Sequence, residues 1–176
     1  QVPVWGATSG TLAPALVPAG NRYVFSAGQT LTFASTDVTK TYGDDASALV
    51  GTAWTVSGLN SNTYGGAILA DNAASIFSGT PLLSSAGAVV TAPVAGAPYS
   101  ISVSAGSVSA LTGYSLAFDS AGLLYVDPRA ANVIANNGTK IYGDVDPVLT
   151  FTTPGFVNGD TPRGALSRVA GEAGAG

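Results

Sequence analysis

The phrase Thr-Lys-x-Tyr-Gly-Asp occurs twice, at Thr39–Asp44 and at Thr139–Asp144. Tyr42 and Tyr142 stand 100 residues apart, and the only two lysines of the chain, Lys40 and Lys140, hold the same place in each copy. A fixed long period marks an architecture in which each copy is one structural unit, so the repeat constrains the fold before any single element does. A second echo accompanies it. "YVFSAGQTLTF" from Tyr23 precedes the first phrase and "YSLAFDSAGLLYV" from Tyr114 precedes the second, each reading as strand, Ser-Ala-Gly turn and strand. On this phasing residues 1–37 are the C-terminal part of a preceding repeat, 38–128 a complete repeat and 129–176 the N-terminal, incomplete part of another. Pro128 marks the last join, because the residue before a proline is pushed into extended conformation. The expectation is a window on a longer array. The alternative is a filament subunit whose head and tail fragments complete those of neighbouring chains by strand addition.

Within each unit the apolar residues alternate in short runs, the period of half-buried strands. "YSISVS" from Tyr99 puts Tyr99, Ile101 and Val103 on one face and serines on the other, and "YSLAF", "LLYV", "AWTVS", "VLTFT" and "LTF" read the same way. Asn137-Gly138 and Asn158-Gly159 are type I′ turn signals, since both central residues of that turn need positive φ. "DNAASIF" from Asp71 is the one helix expected, with an Asp or Asn N-cap and Gly79 to end it. The fold class is therefore mainly β: tandem small β-domains with at most one short helix, in a rod or filament.

Composition narrows the function. Only 9% of residues are charged while 46% are hydrophobic, far from the roughly 25% charge of an ordinary domain. Cys, Met and His are all absent, which removes thiol nucleophiles, disulfides, Cys/His metal sites and histidine bases together. A net charge of −4 with six basic residues argues against nucleic acid as a partner. No apolar run reaches the roughly 18 residues of a membrane span.

The remaining candidates are carboxylates, aromatics and the repeated phrase itself. Asp44 with Asp45, and Asp144 with Asp146, offer oxygen ligands of the kind calcium takes, although a calcium site uses six or more of them. Asp119, Asp127, Asp160 and Glu172 could pair as acid and base, but each sits among turn residues. Trp5, Trp54 and Tyr64 are the aromatics that could read a surface or matrix glycan, with Trp54 reading as core. Lys40 and Lys140 could enter a Lys–Asn cross-link, yet nothing in the spacing selects an Asn. The simplest reading makes Lys40, Tyr42, Gly43, Asp44 and Lys140, Tyr142, Gly143, Asp144 a structural motif that opens each unit, with Lys and Tyr packed together and Gly-Asp turning the chain.

At this phrase the sequence resembles a known family. "TKIYGDVDPVLTFTTPGFVNGDTPRGALSRVAGEAG" resembles the MBG domain of YGX type, with Lys140, Tyr142, Gly143, Asp144, Asp146, Pro147, Gly159, Asp160 and Arg168 at the motif positions. "TKTYGDDASALVGTAWTVSGL" and the segment from Pro98 are similar to the YDG type of repeat, although the middle unit lacks the Asn-Gly-Asp-Thr segment and carries the insert "SNTYGGAILADNAASIF". The resemblance implies a β-grasp-like domain, with an Ig-like sandwich as the alternative. It further implies a place in large bacterial adhesins of the filamentous-haemagglutinin-like, two-partner-secreted kind, at the extracellular cell surface. Neighbouring repeats or subunits of the same protein are then the expected partners, with roles in adhesion and biofilm and no catalytic residues or cofactor.

Overall fold

Alternation places Leu31, Phe33 and Ser35 on one side of a strand and Thr30, Thr32 and Ala34 on the other, and in the computed structural model the first three are the buried ones. The structure describes residues 4–17, 19, 24–60, 63–64, 67–68, 72–110 and 113–168. Its strands are β1 (Thr30–Ser35), β2 (Val38–Thr41), β3 (Trp54–Ser57), β4 (Thr63–Tyr64), β5 (Ala67–Ile68), β6 (Phe77–Ser78) and β7 (Leu82–Ser84). They continue with β8 (Tyr99–Ser100), β9 (Ser102–Ser104), β10 (Ser109–Ala110), β11 (Ser115–Asp119), β12 (Leu123–Asp127), β13 (Ile134–Ala135) and β14 (Phe151–Thr152). Among the described residues helix is confined to short pieces: α1 (Ser47–Thr52), the single turn α2 (Ala73–Ile76) and three 3₁₀ turns. The chain is mainly β, in several small sheets.

The opening and closing strands of the middle unit run side by side. β1 pairs in parallel with β11, from Thr30 opposite Ser115 to Ala34 opposite Asp119, and β2 pairs in parallel with β12, from Val38 opposite Leu124 to Thr41 opposite Asp127. Two bent strands therefore lie parallel through both of their arms, with the register shifting by one residue at the bend. β3 borders β1 on its other edge and β8 borders β12, both antiparallel. These parallel pairs depart from an Ig-like sandwich, whose sheets are antiparallel.

Because β1 is bonded on both edges to strands drawn from 38–128, the Thr30–Ser35 segment, assigned by sequence to the tail of a preceding repeat, lies inside the middle unit. It is also not a free tail strand that could complete a neighbouring chain. The N-terminal segment is clipped on beside it: Val4 bridges Val24, and Trp5 stacks on Phe25 at 4.5 Å and meets Tyr114 edge-on at 6.3 Å.

One core joins these elements. Phe33 sits at its centre, against Phe77 at 5.1 Å, Trp54 at 5.7 Å and Phe118 at 5.9 Å, with Leu31, Val50, Ile76, Ile101, Leu124 and Val126 around it. A polar residue ties the two sheets within this core. Ser35 Oγ donates to the Ile101 carbonyl at 3.0 Å and accepts from the Gly122 amide at 2.9 Å, so its burial leaves no unmet hydrogen bond.

The expected helix forms as one turn only, with the Asn72 side chain accepting from the Ala74 amide at 2.9 Å as its N-cap. The longer helix, α1, is one that periodicity does not announce. Among the described residues no helix is long and apolar enough to cross a membrane.

Candidate functional site

The repeated phrase folds the same way twice. In the first copy the Asp44 amide donates to the Thr41 carbonyl at 3.1 Å across Tyr42-Gly43, and in the second the Asp144 amide donates to Ile141 at 3.1 Å across Tyr142-Gly143. Gly43 and Gly143 have φ of 89° and 90°, the value a type II turn requires at its third position and that only glycine takes without strain. Each lysine then reaches over its own turn: Lys40 Nζ donates to the Asp44 carbonyl at 3.1 Å and Lys140 Nζ to the Asp144 carbonyl at 3.2 Å. The phrase thus encodes a lysine-capped turn. In both copies the ammonium is held by a hydrogen bond to the turn itself.

The two copies differ in what surrounds them. Lys40 is 5% exposed, and its ammonium also donates to the Ala88 carbonyl at 3.4 Å and to the Val89 carbonyl. Desolvation lowers its pKa, while the Asp45 and Asp44 carboxylates pull in the opposite direction. Lys140 stands in the open, paired with Asp146 at 2.5 Å, and Arg168 reaches the same carboxylate oxygen at 3.0 Å. Tyr42 is half-buried against the core, whereas Tyr142 is 88% exposed.

The structural repeat extends beyond the phrase. β1 meets β3 with Ser35 opposite Trp54, and β13 meets β14 with Ala135 opposite Phe151. The Thr36 amide donates to the Ala53 carbonyl at 2.9 Å, and the Asn136 amide donates to the Thr150 carbonyl at 2.9 Å. Gly58 at φ 88° and Gly155 at φ 89° follow four residues after Trp54 and Phe151. A Cβ at Gly58 would lie 2.0 Å from the Thr30 carbonyl oxygen, and one at Gly155 would lie 2.4 Å from that of Ala130. Residues 30–58 and 130–155 are thus the same half-unit. Their offset is 100 residues up to the lysine-capped turn and 97 after it, and the three missing residues fall where the first copy builds α1.

Where the middle and last units meet, the first lysine-capped turn is the contact. Arg129 Nε donates to the Tyr42 carbonyl at 2.6 Å, and its guanidinium also pairs with Asp44. Val157 lies over Gly43 so closely that a Cβ there would come within 2.6 Å of it. The Asn158 side-chain amide donates to the Val90 carbonyl at 3.0 Å. Asn158-Gly159 forms the expected type I′ turn, with φ of 57° and 76° and the Asp160 amide on the Val157 carbonyl at 2.9 Å. That turn is what offers Asn158 to the middle unit. Asn137-Gly138 does not form such a turn: neither residue has positive φ, and both lie in the connection between β13 and β14.

The other sequence candidates are dispersed. Asp45 accepts from the Ser47 amide at 2.7 Å at the start of α1, Asp44 serves Arg129, and Asp146 serves Lys140 and Arg168. No group of three or more acidic side chains comes together among the described residues. Asp119 and Asp127 end β11 and β12 in separate sheets, Asp160 follows the Asn-Gly turn, and Glu172 lies outside the described residues, as does Asp71. Trp5 is buried and so presents no face to a sugar, and Trp54 is half-buried against Phe33. Tyr64 lies in β4, with its side chain outside the described set.

The Lys140 hydrogen bond, then the Arg168 and Lys140 charges, hold the Asp146 carboxyl below its usual 3.8. A group so depressed stabilises the fold fully above pH 3.8 and loses that contribution as pH falls through its folded value. Carboxyl NMR titration should find Asp146 titrating below 3.8 and returning towards the ordinary value in Lys140→Met.

Compared with known proteins, residues 131–176 match the family model described as MBG domain (YGX type). No curated protein and no solved structure matches the chain.

Proposed function

We propose that this chain is a structural repeat segment of an extracellular bacterial adhesin or surface filament, a spacer whose successive units are held at a fixed angle. The observation that carries this reading is the joint at the first lysine-capped turn, where Arg129, Val157 and Asn158 of one unit engage Tyr42, Gly43, Asp44 and Val90 of the previous one. A backbone carbonyl, a carboxylate and a glycine surface are received by a guanidinium, an isopropyl group and an amide. The family match at 131–176 supports a repeat of surface proteins. The scarcity of charge suits a chain that packs against its own copies. A glycan-binding module has less support, because Trp5 is spent on the core.

The absence of cysteine makes the test direct. Spin labels on Ser109→Cys and Thr161→Cys, one in each unit, should give a single narrow distance distribution. Arg129→Ala combined with Asn158→Ala should broaden it severalfold while leaving the melting of the middle unit unchanged. A broad distribution in the unaltered chain would sink the fixed-angle spacer. Immunolabelling of intact, unpermeabilised source cells should be positive, and labelling only after permeabilisation would refute the surface location.

A further inference from the structure

The half-unit 130–155 repeats the half-unit 30–58, and the middle unit shows what the latter is built to receive. β1 and β2 each carry a parallel neighbour on one edge, β11 and β12, which follow one another as a single bent segment from Ser115 to Asp127. The equivalent edges of the last unit have no such neighbour among the described residues: β13 pairs only with β14, and Gly138–Ile141, the counterpart of β2, joins no ladder. The side chains that a neighbour would cover are correspondingly open. Val133, the counterpart of the fully buried Phe33, is 47% exposed, and Ile141 and Tyr142 are more so. Val133 lines a cavity of about 190 Å³ with Phe151, Pro162 and Leu166, and a groove of about 520 Å³ is lined by Asn136, Gly138, Lys140, Pro147, Leu149 and Leu166 among others.

We infer that the edges of Ala130–Ile134 and Gly138–Ile141 form one docking surface for an extended β-segment of the Ser115–Asp127 type, entering parallel and in the register of the middle unit. Shifted by the repeat, that register sets Ser115 of the incoming segment opposite Ala130, Phe118 opposite Val133, Val126 opposite Lys140 and Asp127 opposite Ile141. Main-chain hydrogen bonds along both edges supply affinity, and the alternating Leu116, Phe118, Leu124 and Val126 supply specificity for the apolar face. The occupant is the closing segment of a repeat of this kind. It is not the Thr30–Ser35 strand, whose two edges are already used. This goes beyond the spacer reading, since it specifies how an open unit is closed.

A fluorescent peptide with the sequence of Tyr114–Asp127, titrated into the full chain, should bind saturably and one to one. Amide exchange at 133–135 and 139–141 should slow by about tenfold or more in the complex. The same peptide carrying Phe118→Asp and Leu124→Asp should not bind. Val133→Asp in the chain should abolish binding while the middle unit melts as before. The inference is overturned by an absence of saturable binding, by equal binding of the doubly substituted peptide or of Val133→Asp, or by protection appearing on Thr30–Thr41, which would mean exchange with the resident strand. None of these outcomes bears on the fixed angle between units, which the spin-label distances read separately.

Discussion

Lys40→Met lowers the melting temperature of the middle unit by about 5–12 °C, while Lys140→Met, the same substitution 100 residues on, shifts it by less than about 2 °C. The asymmetry follows from burial. Both lysines cap the same turn, but Lys40 also donates to the carbonyls of Ala88 and Val89 from a site that is almost closed to water. Its loss strips a donor from buried acceptors, a change that costs about 2–4 kcal/mol, and each kcal/mol moves the melting point of a chain this size by about 2–4 °C. Met keeps the length of the stem, so the change isolates the ammonium. At position 140 water replaces what is removed, and exposed ion pairs of this kind contribute little to stability. Calorimetry on the two variants decides the matter, and equal losses would refute the distinction between a covered and an open turn.

Gly58→Ala is expected to be the more damaging of two equivalent glycine substitutions. The added Cβ would sit 2.0 Å from the Thr30 carbonyl oxygen at a φ of 88°, so that steric overlap and a disfavoured backbone conformation act together where β1 meets β3. A loss of about 3–5 kcal/mol, seen as a fall of roughly 6–20 °C in melting temperature, is the expected scale. Gly155→Ala makes the equivalent clash with Ala130, but at the edge of the exposed pair β13–β14. It should open that pair, detectable as faster amide exchange at Ile134 and Ala135, with little effect on the main transition. If Gly58→Ala melts like the parent chain, the close backbone approach at Thr30 is not a packing constraint.

The lysine-capped turn is legible in the sequence because five of its six letters are identical in the two copies, and such a turn tolerates little else. The turn at Asn158-Gly159 is legible for the same kind of reason, as a dipeptide whose backbone conformation is encoded locally. The rest of the half-unit is not. "LTFAS" and its counterpart "ANVIA" share no letter in register, because a strand asks only for side chains that fit a half-buried face. "WTVSG" and "FTTPG" share a threonine and a glycine, and their offset of 97 residues hides them from a search at 100. The Thr30–Ser35 strand therefore reads as another unit's tail, whereas its parallel pairing with Ser115–Asp119 seats it beside the middle unit's closing strand. Helix α1 escapes notice because "SALVGT" ends in poor helix formers; its place is set by Asp45 on the Ser47 amide and by Val50 entering the core.

The two bent strands that run parallel through the middle unit have a mechanical consequence. Tension applied through the chain ends pulls β1–β2 towards its start and β11–β12 towards its finish, so the strands are drawn lengthwise past each other in opposite directions. The hydrogen bonds between them lie across the pull and must give way together, as in a glued lap joint loaded in shear, whereas a hairpin pulled from its open end parts one rung at a time. Stretching single molecules should therefore show the middle unit resisting to one abrupt rupture, with no low, gradual extension before it.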